Sequence, residues 1–330
     1  MSQIQLFDKY GRGHNDLRIS VTDRCNFRCF YCMPEEGMEW LPHDEVLSYE
    51  EILRVIKITT DLGFDSFHIT GGEPLLRKDL SLLISGMLSI QPKMDLALTT
   101  NGILLPTVAK DLYQAGLRRI NISLDTLDEE KFLFMTRRNQ LKQVLEGIKS
   151  ASDVGFSPIK INAVAIKGLT EEEIPRFADW ARETGHVVRF IEYMPLDADK
   201  TWDKDKVLSA EEILDGLSKN CALELVSGNI SDPATRYRYE DGKGEIGVIP
   251  SVTKPFCEDC NRMRLTAEGM IRTCLFSNDE HDLKKLLRGN EGDEVIKKWL
   301  GKVLLTKTPG HLIGQKEFVQ PNRTMSAIGG

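Results

Sequence analysis

The 330-residue sequence has no uninterrupted apolar run approaching the ~18 residues that cross a bilayer, so no membrane span is expected. Its first stretch, Met1 to Lys9, lacks the apolar core of a secretion signal, which points to a cytoplasmic protein. Basic charge is in deficit. Lys and Arg number 43 against 50 Asp and Glu, a formal net charge of −7. That balance disfavours a globally basic nucleic-acid binder and leaves room for a local basic pocket. Low-complexity tracts are absent too. With 41% apolar and 28% charged residues, the chain has the composition of a globular protein able to bury a full core. An even set of cysteines is also missing. Seven is an odd number, which suits a disulfide framework badly.

What is present is alternation. Short apolar runs at Leu17–Val21, Ser66–Thr70, Asp95–Thr100, Arg118–Ser123, Ile159–Ile166 and Val187–Glu192 read as strands. Amphipathic segments separate them. Ser48 with Glu51, Thr170 with Glu173 and Ser209 with Glu212 are spaced as capping boxes, and plainer helices fall near Asp79–Ser89 and Pro106–Ala115. Six such units imply a parallel sheet with right-handed crossovers, an α/β partial (βα)6 TIM-like barrel. At about 150 residues per domain two domains are expected. The boundary is placed near residue 230, giving a barrel core over 1–230 and an α+β extension over 231–330. Arg236 to Gly247 reads as a hairpin and loop. Chemistry-bearing residues fall just after the strands: Thr22 and Asp23, Gly71 to Glu73, Thr99 and Asn101, Ser123 and Asp125, Glu192 and Met194. The expectation is one active-site mouth at the C-terminal strand ends.

The cysteines divide as three, three and one. Cys25, Cys29 and Cys32 follow the first strand with Cys-x3-Cys-x2-Cys spacing. Three thiolates so spaced can hold three of the four irons of a cubane and leave the fourth open to a small molecule. A closed zinc site would want a fourth Cys or His nearby, and only His14 is close in sequence. Cys257, Cys260 and Cys274 form the second set; a fourth ligand from His281 or Cys221 would make it a zinc site instead. Arg262 and Arg264 follow the pair, where cations favour thiolates or hold an anion beside the metal. Cys221 is most simply a core cysteine.

Cys25-Asn26-Phe27-Arg28-Cys29-Phe30-Tyr31-Cys32, with Thr70-Gly71-Gly72-Glu73-Pro74, resembles the radical S-adenosylmethionine (AdoMet) superfamily. The longer string from Arg18 to Met33-Pro34, the second cysteine set with its arginines, and the Gly329-Gly330 end resemble its GTP 3′,8-cyclase (MoaA-type) family of molybdenum cofactor biosynthesis. The resemblance implies two 4Fe-4S clusters, the second in the extension, with AdoMet on the open iron of the first. AdoMet would be cleaved reductively to a 5′-deoxyadenosyl radical that takes hydrogen from C3′ of GTP, and C3′ would then bond to C8 of guanine. It implies AdoMet contacts at Tyr31, Gly72, Ser123 and Met194, and GTP contacts at Arg18, Thr99, Lys160, Arg262 and Arg264. It also implies a tail, Gly329 and Gly330, that threads into the site and supports catalysis. His68 stands where the family usually has arginine; either His68 makes a weaker, pH-sensitive phosphate contact, or a neighbour such as Arg77 compensates. Partners implied are a flavodoxin- or ferredoxin-type reductant and cyclic pyranopterin monophosphate synthase, with the chain a monomer or homodimer. A peptide-modifying AdoMet enzyme, an iron–sulfur electron carrier and a zinc-bearing nucleic-acid module are the competing readings. The arginines with Gly-Gly, the incomplete cysteine sets and the net charge argue against each in turn.

Overall fold

The computed structural model describes residues 5–219, 222–226 and 232–329. Cys221 and Gly330 lie outside the described residues. Six parallel strands form the centre: β1 Asp16–Ser20, β2 Ser66–Thr70, β3 Asp95–Thr100, β4 Arg119–Ser123, β5 Lys160–Ala165 and β6 Val187–Glu192. All lie within a residue of the segments expected from alternation. The helices that cross between them are α1 Tyr49–Asp61, α2 Leu80–Ile90, α3 Leu105–Gln114, α4 Glu129–Thr136, α5 Leu141–Val154 and α6 Glu173–Thr184. No helix of the described chain is long and apolar enough to cross a membrane.

Ser48 caps α1 with the full reciprocal box, and Ser209 does the same for α7, Ala210–Ser218. The box expected at Thr170 does not form. Thr170 Oγ1 instead accepts from the Ile166 amide at 2.9 Å, and the Glu173 carboxylate takes the Leu127 amide and Lys131. Both side chains hold loops at the top of the sheet, and α6 starts without a side-chain cap.

After α7 comes β7 Leu223–Val226, and the extension then supplies β8 Thr235–Tyr239, β9 Glu245–Ile249, β10 Arg262–Leu265, β11 Met270–Arg272 and β12 His281–Asp282. It ends in α8 Lys284–Arg288, α9 Asp293–Leu304 and α10 Met325–Ile328. The expected hairpin is β8–β9. The sheet order is β12-β11-β10-β1-β2-β3-β4-β5-β6-β9-β8-β7. Thus β10 pairs parallel with β1 on one side, and β9 pairs parallel with β6 on the other. The extension clasps both edges of the six-stranded core.

Strand alternation decides what lies inside. Leu17, Ile19, Phe67, Ile69, Leu96, Leu98, Ile120 and Ile122 point outward into one large core against the helices. The opposite parity carries Arg18, His68, Thr99, Asn121, Asn162 and Arg189, and adjacent strands bring Arg264 beside Arg18 and Arg18 beside His68. A fully closed βα barrel fills its interior with branched apolar layers. Here that layer is polar, so the interior is a channel.

Candidate active site

The loop after β1 presents the first cysteine set. It is pinned to α4, because the Arg28 and Phe30 amides donate to the carbonyls of Thr136 and Met135, both at 3.1 Å. Phe27 packs edge-on to Phe132 beneath it. From the other side comes the Gly71-Gly72 turn, whose Gly72 amide donates to Thr22 O at 2.7 Å. A Cβ on Gly72 would stand 2.3 Å from the Arg24 carbonyl oxygen, so only glycine allows the two loops to touch. Glu73 then accepts from the amides of Leu75 and Asn101 and from Thr100 Oγ1. Tyr31 Oη donates to Asp125 at 2.5 Å, and Asp125 also accepts from the Val164 amide. Glu73 and Asp125, singled out among the residues after the strands, brace the site.

Burial pushes the Cys25 thiol up to about 12 and Cys32 to about 11, and holds Cys29 well above its ordinary value. Cys32 also raises both Cys25 and Cys29, and Cys25 raises Cys29, so the three are close enough to interact. Three buried soft donors become thiolates when a cationic centre binds them. Among the described residues, no three His, Cys, Asp or Glu side chains are grouped to hold a single metal ion. The donor set fits a larger cationic group such as a cubane, with three sulfurs and no fourth ligand.

The second set forms where β11 returns antiparallel to β10, with Arg264 opposite Arg272, bringing Cys274 back beside Cys257 and Cys260. Here the charges are different. Burial pushes the Cys260 thiol up, yet Lys307 and Arg262 hold it below its ordinary value overall. Lys307 Nζ donates to Cys260 Sγ at 3.4 Å. His281, considered as a fourth ligand, instead meets Thr306 and the Trp299 ring and does not line this cavity.

The second set lines a cavity that adjoins a central one, and Tyr31 of the first cysteine loop lines that central cavity too. The central cavity, about 240 Å³, is lined near the first set by Tyr31, Ser123 and Met194. It shares Met194, Arg262 and Arg264 with the cavity beside the second set. Below, it shares Arg18, His68 and Arg189 with a cavity of about 490 Å³ that reaches Asp16, Arg119 and Lys160 at the N-terminal strand ends. The expectation of a single mouth at the C-terminal ends is therefore corrected. A polar interior lets adjoining cavities extend from the C-terminal strand ends to the N-terminal ones.

His68 is settled by its neighbours. Arg189 donates to Asn121 Oδ1 at 2.7 Å and to Asn162 Oδ1 at 3.0 Å, which orients the Asn121 amide. The Asn121 NH2 then donates to His68 Nε2 at 2.9 Å, with Thr99 Oγ1 at 2.7 Å from the same nitrogen. An accepting Nε2 means a neutral ring protonated at Nδ1. Burial, then Arg18, Arg189, Arg119 and Arg264, hold its pKa well below 6.5. With no anion beside it His68 is therefore neutral, and it lines both the central and the lower cavity. Arg77 does not compensate. Its guanidinium donates to the carbonyls of Val21 and Leu47 and stacks on Tyr49, away from the channel. Arg189 brings a further guanidinium to both cavities, and Arg119, paired with Asp95, stands at the lower mouth; sequence reasoning missed both. The signal was available: Arg189 shares the parity of Ile191 on β6, as Lys160 shares that of Asn162 on β5.

The tail reaches the same place. Arg323 pairs with Glu268 and Glu280, and Met325 lines the central cavity. Ser326 lies close enough to the Cys32 thiol to draw its pKa down against the effect of burial, and the Gly329 carbonyl accepts from Arg264 at 2.6 Å. A Cβ at Gly329, whose φ is +79°, would lie 2.8 Å from Ser20 Cβ.

The radical SAM superfamily model matches residues 19–181, and the Molybdenum Cofactor Synthesis C model matches 186–313. A GTP 3′,8-cyclase of Streptomyces coelicolor is 45% identical over 328 residues, covering 98% of this chain and 96% of that protein. The chain belongs to the GTP 3′,8-cyclase family. A second member, from Thermodesulfovibrio yellowstonii, is 44% identical, with 98% and 99% of the two chains covered. Streptococcus suis SuiB bound to its precursor peptide SuiA superposes with a TM-score of 0.58 at 18% identity, over 90% of this chain and 72% of that one. That likeness concerns the fold alone. Within a GTP 3′,8-cyclase fold, the two cysteine sets and the arginine-lined cavities between Tyr31 and Cys274 are the features that need a chemical reading.

Proposed function

We propose that this chain is a GTP 3′,8-cyclase that acts on GTP laid along the channel between two 4Fe-4S clusters. The observation that carries the reading is a run of adjoining cavities with shared walls: Cys257, Cys260 and Cys274 line one, Tyr31 of the first cysteine loop lines the central one, and together they gather Arg18, Lys160, Arg189, Arg262 and Arg264. Cys25, Cys29 and Cys32 would hold the first cluster, and Cys257, Cys260 and Cys274 the second. When bound, the first cluster and AdoMet would supply the primary carbon radical that takes hydrogen from C3′ of GTP; C3′ would then bond to C8, and the nucleotide radical left would take one electron from the reductant and one proton.

The residues of the chain bind and orient. Tyr31, Ser123 and Met194 would contact AdoMet beside the first set, with Tyr31 fixed by its bond to Asp125. Gly72 would contribute backbone there, in the turn that braces the cysteine loop. Guanine would lie toward the second set, beside Arg262, Arg264 and Leu275, which line both cavities. The triphosphate would point to the lower cavity. Its roughly four negative charges would meet Arg18, Lys160 and Arg189, each ready to make charge-assisted bonds. Among the described residues, Arg18 Nε is a buried donor with no hydrogen-bond partner, which fits a ligand-facing role. Thr99 would hold its place beside His68. The tail, with Met325 at the cavity wall and Gly329 on Arg264, would exclude water from the reacting carbon. A flavodoxin- or ferredoxin-type protein would deliver the electron, and cyclic pyranopterin monophosphate synthase would take the product.

The test is anaerobic. Protein reconstituted with iron and sulfide receives dithionite, AdoMet and GTP, and the products are read by mass spectrometry. Expected are 5′-deoxyadenosine and a cyclised nucleotide isomeric with GTP. AdoMet cleavage that does not depend on GTP, or zinc in both cysteine sets, overturns the reading.

A further inference from the structure

Lys307 follows α9 and is 2% exposed. Lysine is almost never buried to that degree without an anion to meet it. Among the described residues its Nζ makes two bonds, to the Arg262 carbonyl at 2.7 Å and to Cys260 Sγ at 3.4 Å, and no carboxylate pairs with it. Its neighbours offer no other anion. His14 is buried and held neutral, with its pKa lowered to about 4 by burial and by Lys307 itself. Asp8 is already engaged by Arg12 and His14.

Arg12 explains how Lys307 is held there. Its guanidinium donates to the carbonyls of Cys257, Thr308 and Pro309, at 2.7, 2.7 and 2.8 Å. One side chain thus staples the second cysteine loop to the segment that carries Lys307. Among the described residues the first set differs: the charges acting on it are chiefly Glu73, Asp125 and Arg28, and no lysine is hydrogen-bonded to its sulfurs. The two sets therefore share a donor pattern and differ in field.

We propose that Lys307 is a positioning residue for the C-terminal cluster, donating to Cys260 Sγ and offsetting the thiolate charge so that this cluster has a higher midpoint potential than with a neutral residue there. The physics is direct. A cubane held by three thiolates carries net negative charge that grows on reduction. A nearby ammonium and an N–H···S bond both favour the reduced form. The inference rests on the reading that Cys257, Cys260 and Cys274 hold a cluster.

The experiment separates the two claims. Full-length protein with Cys25→Ala, Cys29→Ala and Cys32→Ala is reconstituted anaerobically, so that only the C-terminal set can carry a cluster. Iron and sulfide analysis tests the underlying reading; absence of a cluster in this parent overturns that reading. Lys307→Met and Lys307→Arg are then made in the same background, and each is titrated with dithionite under EPR. The midpoint is expected to fall in Lys307→Met and to stay close to the parent in Lys307→Arg. If Lys307→Met does not fold, Lys307→Gln removes the charge while keeping a donor for the Arg262 carbonyl, and its midpoint is expected to fall likewise. A fully loaded neutral variant with the parent's midpoint and EPR signature refutes the proposal.

Discussion

Arg189→Met is the sharpest test of how the channel holds its substrate. Burial, together with Arg18 and Arg119, brings the Arg189 guanidinium from 12.5 down to about 10 despite the attraction of Asp232. At 1.36 kcal/mol per pKa unit, keeping Arg189 charged without an anion beside it costs about 3 kcal/mol. A triphosphate alongside would offset that cost, so removing the guanidinium removes a similar share of the binding energy. The expected loss is about 2–3 kcal/mol, which weakens GTP binding roughly 30- to 150-fold. Guanosine, with no phosphate, should bind about as before. The assay is calorimetric titration of AdoMet-free protein with GTP, GMP and guanosine, with KM and kcat measured alongside. KM for GTP should rise while kcat changes less. Equal weakening of GTP and guanosine, or no change in either, would refute the assignment of the lower cavity to the phosphates.

Three further outcomes follow from single side chains. Because the folded pKa of His68 lies well below 6.5, the unfolded chain takes up a proton there as pH falls below about 6.5 and the folded chain does not, so stability is lost toward acid. His68→Gln should flatten, without abolishing, the fall in urea midpoint between pH 7 and 5; an unchanged slope would show that His68 is charged in the fold. Glu192 is fully buried and accepts from the amides of Ala210, Val252 and Thr253 at 2.9, 2.7 and 2.7 Å and from the Thr253 hydroxyl, so Glu192→Gln leaves at least one amide facing an NH2 group and should cost about 2–4 kcal/mol. Hydrogen exchange at residues 210, 252 and 253 should quicken by about 30- to 1000-fold; unchanged protection would contradict this. Gly329→Val combines a left-handed backbone with a Cβ against Ser20 and Thr70, a strain of about 1–3 kcal/mol, and should cut turnover about 10- to 100-fold with iron content unchanged; full turnover would separate the tail from catalysis.

How far the sequence could be read depended on how local the cause was. The central strands announce themselves, since Leu17, Ile19, Phe67 and Ile69 face helices and their alternation is written in consecutive residues. Ser48 and Ser209 were legible as caps because the partner lies three residues away. Thr170 and Glu173 have the same spacing, but Leu127 and Lys131 compete for the Glu173 carboxylate from another loop. The partners of the extension were illegible for a similar reason. Nothing local in Arg262–Leu265 says that it will lie parallel to Asp16–Ile19, about 245 residues earlier. The site divides along the same line. The cysteine sets stand out by spacing. Arg189 is an ordinary strand residue until pairing puts Asn162 beside it, and Arg77, closer in sequence to His68, points elsewhere.

The acidic net charge and the cationic channel are compatible because of how the cations are oriented. Arg189 is held by the amide oxygens of Asn121 and Asn162. An amide oxygen fixes the guanidinium without neutralising it; a carboxylate at either position would hold it more firmly and cancel its charge. Arg264 is likewise fixed by a backbone carbonyl, that of Gly329, and burial with Arg18 and Arg262 brings it down to about 9. Carboxylates are fewer than the cations: Asp16 lies 3.9 Å from Arg262, Asp232 attracts Arg189, and Asp95 pairs with Arg119 at the exposed mouth. The interior positive charge therefore costs stability until an anion arrives. Such a field, enclosed by low-dielectric walls, draws a polyanion to the channel and not to the surface at large.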